Sequence, residues 1–295
     1  MDAWVVIGLR FAAYADLMLL AGLALGGGLG RYAPVIGRRV IGWAAALGVV
    51  ITLAQFGATC LAMTGNDVSA LDREILTFMA FETPMGISHI VRAAALGLVA
   101  VLWSTGRAGR LVIAALAVVA LGSLAWSGHA AASEAALGWV HRSSDIGHLV
   151  AGAIWIAALV MFARILLFDF KTPEAVAPAL SALERFSGIG AIIVGVIVVT
   201  GSINLLAIVG VDGLAATFAT AYGRLLLLKL ALFGAMLGLA GLNRWRFVPG
   251  IRATLHGGEH VIAVRRLRRA IITETTLAFL VLAVVAILGT LSPVD

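Results

Sequence analysis

Residues 143–168 read SSDIGHLVAGAIWIAALVMFARILLF, and the way this stretch is apolar decides the fold. From Ile146 to Ala163 it carries no Asp, Glu, Lys or Arg, and its apolar residues run on without alternating with polar ones. A helix of about 20 such residues crosses the hydrocarbon layer of a bilayer and satisfies its own backbone hydrogen bonds there. A strand of a membrane barrel would instead repeat with a period of two.

Similar runs recur near 3–27, 40–63, 86–104, 110–127, 184–208, 222–246 and 267–291. Together they predict an all-α fold, a polytopic membrane helical bundle of about eight transmembrane helices, read as a single integral membrane domain over 1–295. The 295 residues are 62% hydrophobic and 12% charged, with a mean hydropathy of +1.07. That excludes a water-soluble enzyme. The connections between runs are short, which leaves no room for a separate ATPase, nucleotide-binding or nucleic-acid-binding domain, so any energy must come from gradients or partners. The single cysteine, Cys60, makes no intrachain disulfide and reads as a small packed hydrophobe. Met1-Asp2-Ala3-Trp4 lacks the basic start of a signal peptide, so the first run is expected to stay as a span.

Charge sets the expected orientation. Arg31, Arg38 and Arg39, then Arg107 and Arg110, then Arg164, Lys171 and Arg185, and finally seven arginines between 244 and 269 fall in alternate connections. Fifteen of the 21 basic residues thus gather on one side, which the positive-inside rule makes cytoplasmic. Both termini are then periplasmic in a bacterium. The net charge of +6 reports this topology, with contact to anionic membrane lipid, and not binding to nucleic acid.

Four of the six histidines are expected at the outer face: His89 opening the third span, His129 ending the fourth, and His141 and His148 starting the fifth. His141, Asp145 and His148 are spaced i, i+4, i+7, which puts all three on one helical stripe. Imidazole binds several transition metals, whereas thioether sulfur selects Cu(I) among them, so Met63, Met79 and Met85 in the outward connection between spans two and three carry weight. A four-histidine rim beside methionines reads as a copper-receiving site, with Asp145 orienting a ligating ring. The plain alternative makes these histidines interfacial polar residues and the methionines gap fillers.

Ionisable residues inside spans face bundle interiors or water-filled cavities. Asp16 lies deepest in the first span, near Arg10 and Tyr14. Arg92 follows His89 by three residues, and Arg224 and Lys229 enter the seventh span. Arg92 or Lys229, or a bound metal ion, is expected to compensate Asp16, in a structural pair or on a transport path. Glu184-Arg185, Asn243-Arg244 and Glu274 with Arg269 are expected to form a second polar cluster toward the cytoplasmic face, as an inner gate or a salt-bridge network.

Taken in order, Trp126-Ser127-Gly128-His129-Ala130, His141 with Asp145, His148 and Trp155, Glu184-Arg185-Phe186-Ser187, Thr200-Gly201 with Asn204, Tyr222-Gly223-Arg224 with Lys229, Asn243-Arg244 and Glu274 resemble the CopD family of bacterial copper-resistance and copper-uptake membrane proteins. The resemblance spans nearly the whole sequence. It implies an eight-helix inner-membrane protein, without enzymatic activity, that moves copper from periplasm to cytoplasm. It also implies a periplasmic copper-binding partner, which many relatives carry as a fused domain and this sequence does not show. The metal would be received at His89, His129, His141 and His148, assisted by Met79 or Met85, and passed inward by Asp145 and Asp16.

Two other classes remain open from the residues. One is a haem-binding membrane oxidoreductase with His89 and His148 as axial ligands. The other is an accessory or sensor subunit that binds copper without conducting it.

Overall fold

The computed structural model describes residues 2–26, 38–104, 109–126, 135–168, 173–254 and 260–292. They are helical, with α1 at Ala3–Leu25, α2 at Arg38–Met63, α3 at Arg73–Phe81, α4 at Pro84–Leu102 and α5 at Gly109–Gly122. There follow α6 at Ala135–Phe168, α7 at Pro173–Thr217, α8 at Ala221–Leu242, α9 at Val248–Thr254 and α10 at His260–Leu288. A 3-10 turn, Ser123–Trp126, extends α5, and a π turn, Asn243–Phe247, joins α8 to α9. Among the described residues eight helical stretches are long and apolar enough to cross a membrane, and they coincide with the eight runs read from the sequence.

Local chemistry fixes several helix starts. The Asp2 carboxylate accepts from the Trp4 backbone N–H and caps α1, and the Thr220 hydroxyl does the same for Gly223 at the start of α8. Thr83 caps α4 from the residue before Pro84, whose fixed φ suits the first helical position. Gly210 interrupts α7 with φ +70° and ψ 167°, a backbone conformation that a residue with a Cβ rarely adopts.

Several boundaries differ from the sequence reading, most of all α7, which runs from Pro173 to Thr217 where the apolar run predicts 184–208. α6 begins at Ala135 and α10 at His260, each about two turns before the apolar run, because polar residues such as His141-Arg142 and Arg265-Arg266 continue a helix as readily as apolar ones do. α3 was not anticipated within the connection between spans two and three. It is a short amphipathic helix, capped by Asp72, that buries Met79. Met79 is therefore a packed residue of α3, and Met85 lies in the first turn of α4; neither is in a loop.

Contacts across the bundle show neighbouring spans running antiparallel. The Leu9 carbonyl accepts from Gln55 near the end of α2, Arg92 early in α4 reaches Ser123 at the end of α5, and Ser144 early in α6 reaches Thr200 late in α7. The end of the bundle where α1 begins is called the near end below.

α6 is the central helix: 67% of its span is buried inside the protein, against 6% for α7. It packs on α1, α7 and α10. A close crossing is at Gly22 of α1, where a Cβ would meet the carbonyl oxygen of Ala153 and lie 2.6 Å from the Ala157 methyl. Small residues at such a crossing let backbones approach and gain dispersion contacts, which drive helix association where no water is present to expel. Cys60 is fully buried and free. Large apolar side chains on the outside, among them Leu111, Val101 and Val199, face the lipid.

Candidate functional site

Two cavities open between the helices in the near half of the bundle, separated by Arg10, Tyr14 and Leu124, which line both. Arg10 and Tyr14 are one turn apart on α1, and Met18 a turn further on lines the larger cavity.

The smaller cavity, about 190 Å³, lies among α1, α2 and α4 and is lined by Gln55, Met85, His89 and Arg92. His89 is buried, and its ring packs 5.9 Å from Phe56. Its Nδ1 sits 2.8 Å from the Met85 carbonyl oxygen, which only accepts, so Nδ1 carries the proton and Nε2 carries the lone pair. Arg92, 1% exposed, donates from Nε to the Ser123 hydroxyl at 2.9 Å and from Nη1 to Gln55 Oε1 at 3.2 Å. Those two bonds hold its guanidinium at the near half of α4.

The larger cavity, about 450 Å³, runs along α6 between α1, α7, α8 and α10. His141, Asp145 and His148 all line it, as their i, i+4, i+7 spacing requires. Asp145 Oδ1 accepts from Asn204 Nδ2 at 3.3 Å, and Lys229 of α8 lines the same space. The side-chain oxygen of Asn204, Oδ1, is buried with no hydrogen-bond partner among the described residues. His148 Nδ1 lies 3.1 Å from Thr200 Oγ1. The Thr200 hydroxyl spends its one proton on the Val196 carbonyl at 2.5 Å, so the histidine must donate to Thr200. Nε2 of His148 is thereby left as the basic nitrogen, the arrangement that prepares an imidazole for a cation. Gly201 makes room for this ring: a Cβ there would stand 3.3 Å from His148 Cε1.

The expected four-histidine cluster is thus divided. His141, Asp145 and His148 share one cavity, while His89 and Met85 line the other. Among the described residues no three His, Cys, Asp or Glu side chains form a ready-made metal cage. His129 lies outside the described residues, as do Ser127, Gly128 and Ala130. Beside them, Trp126 and Trp139 meet edge to face at 6.5 Å, with the Arg142 guanidinium 5.9 and 5.6 Å from the two rings.

The remaining polar candidates also separate. Asp16 lines neither cavity; it points at α2, where Gly48 leaves space beside its Oδ2, a buried atom with no hydrogen-bond partner among the described residues. Glu274, 2% exposed, accepts from Trp155 Nε1 at 3.1 Å and from Asn243 Nδ2 at 3.0 Å. Those donors replace Arg269 as the partners of Glu274, and they place the carboxyl midway along the bundle and not at the rim opposite the near end. Glu184 pairs with Arg252 at 3.0 Å, the Glu and Arg side chains being 36% and 63% exposed, and Arg244 donates to the Ser187 carbonyl. Together these contacts tie α7 to the segment after α8.

Sequence reasoning missed Met18 and Met236, which both line the larger cavity. The signal for Met18 was present in the 10, 14, 18 stripe of α1; Met236 stands out only once α8 is packed.

The profile described as Copper resistance protein D matches residues 180–288, and that of the Copper resistance protein D-like N-terminal domain matches residues 1–139. Copper resistance protein D of Pseudomonas syringae pv. tomato is 36% identical over 97% of this chain and 96% of its own length. The chain belongs to the copper resistance protein D family. Inner membrane protein YebZ of Escherichia coli (strain K12) is 30% identical over 58% of this chain and 55% of its own. No solved structure matches the chain. With eight spans and these relatives, it is a multi-pass protein of the bacterial inner membrane.

Proposed function

We propose that this chain conducts copper across the inner membrane, from periplasm to cytoplasm, with the larger cavity as its receiving chamber. The observation that carries the reading is the stripe of His141, Asp145 and His148 along one wall of a 450 Å³ space inside the bundle, with His148 held by Thr200 so that its basic nitrogen is available. His129 would complete the mouth from the end of the fourth span. His89 and Met85, with Met79 buried on the adjacent α3, would supply a second receiving point. The positive-inside asymmetry supports periplasmic termini and a periplasmic mouth. An inward monovalent cation gains ~2.3 kcal/mol per 100 mV of membrane potential, so no nucleotide is needed. A periplasmic copper-binding protein is the expected donor.

The two family profiles meet across the α1–α10 contact, and α6, which lies between them in sequence, packs on both α1 and α10, which supports one working unit over 1–295. Asp16, Arg92 and Glu274 are read as path or gate residues, and Glu184 as part of the inner rim. The decisive experiment is metal analysis and an optical spectrum of purified protein, with copper accumulation measured in whole cells. Bound copper, together with accumulation that His148→Ala abolishes, supports conduction. A Soret band would mean haem binding instead, although the expected axial pair, His89 and His148, line separate cavities. Copper bound without any accumulation would mean an accessory or sensor subunit.

A further inference from the structure

The deep end of the larger cavity differs in chemistry from its mouth. Met18 sends its terminal methyl over Gly152: a Cβ at 152 would lie 2.9 Å from Met18 Cε. Gly152 is one turn past His148 and one turn before Trp155, so the Met18 thioether sits between the last imidazole and the indole. Met236 of α8 lines the same space one turn past Phe233, whose ring meets Trp155 edge to face at 5.9 Å. Both methionines are 5% exposed. Beyond them Trp155 donates through Nε1 to the buried Glu274.

We infer that Met18 and Met236, with the Trp155 ring beside them, form a Cu(I) waypoint deep in the cavity, between the His148 imidazole and the Glu274 carboxyl. The inference rests on copper being the cargo and names the form it takes there. Thioether sulfur is a soft, neutral ligand that holds Cu(I) and discriminates against harder divalent ions. A monovalent ion also costs less to bring among apolar walls than a divalent one, and an indole face attracts a cation. Glu274, whose recorded partners are the neutral Trp155 and Asn243 donors, offers a carboxyl beyond the sulfurs. Methionine at two apolar positions is otherwise ordinary packing filler, and leucine would serve equally well there.

The test uses the full-length purified protein, loaded without oxygen from a Cu(I)–bicinchoninate complex, and cells accumulating copper. Three forms are compared: wild type, Met18→Leu with Met236→Leu, and His141→Ala with His148→Ala. The leucine form is expected to lose a copper equivalent, to lose sulfur scattering at the copper absorption edge, and to accumulate copper at least about tenfold more slowly. The alanine form is expected to keep sulfur-ligated Cu(I) once loaded. Wild-type Cu(I) retention and accumulation in the leucine form, with failure of the alanine form, would overturn the waypoint and leave the copper route standing. Absence of bound copper and of accumulation in the wild type would overturn both. If the double leucine form does not reach the membrane, each single substitution is scored by the same readouts, since leucine conserves volume.

Discussion

The two cavities share a wall that includes Arg10, yet only one of them holds a carboxylate. The smaller one presents the guanidinium groups of Arg10 and Arg92 beside His89 and Gln55, and among the described residues that line it there is no carboxylate. The larger one sets Asp145 and two imidazoles against Lys229 and the shared Arg10, with thioethers further in. In the smaller cavity the two guanidinium groups, with no carboxylate among the described lining residues to offset them, oppose a metal cation in a low-dielectric setting, where such repulsion is weakly screened. A histidine count therefore says little; the charge of the neighbours decides which imidazoles can take a cation.

The largest expected effect is on the carboxylate side of that contrast. Asp145→Asn and His148→Ala should each lower whole-cell copper accumulation by more than about tenfold, as loss of ligands or their orienting groups does elsewhere. His89→Ala should lower it several-fold less, and equal losses in all three would erase the distinction between the cavities. Next, Gly201→Val should push the His148 ring off Thr200 and weaken copper retention by purified protein, with an effect smaller than that of His148→Ala. Retention equal to wild type would show that the ring's position is unimportant. Asn243→Leu removes one of the two recorded donors to the buried Glu274 and should cost about 1–3 kcal/mol, read as a lower thermal midpoint in detergent. Smallest of all, Arg252→Ala breaks an exposed pair and should change stability by under about 1 kcal/mol. A larger loss would make the Glu184 contact a true gate element.

The spans were legible because each is a continuous apolar run, and the bilayer allows such a run few structural choices. Their true starts were not, since α6 and α10 extend through polar residues that hydropathy counts as breaks but helix propensity does not. α3 is too short and too mixed to register. In the site, the stripe on α6 was readable from spacing alone, because i, i+4 and i+7 share a face of any helix. The assignment of His89 to another cavity needed the packing order of α1, α2 and α4, which no local pattern encodes. Asp16 drew attention as a charge inside a span, yet the residue two places on faces the chamber. Two positions along a helix turn a side chain by about 200°, so neighbours in sequence are not neighbours in space.

The α1–α6 crossing at Gly22 bears on how passage could be gated. With the two backbones in contact there, neither helix can slide along the other without collision, and both are held at one point on their length. Any rearrangement that changes the chamber's width must then be a tilt about that fulcrum, so the opening of one end is coupled to the narrowing of the other.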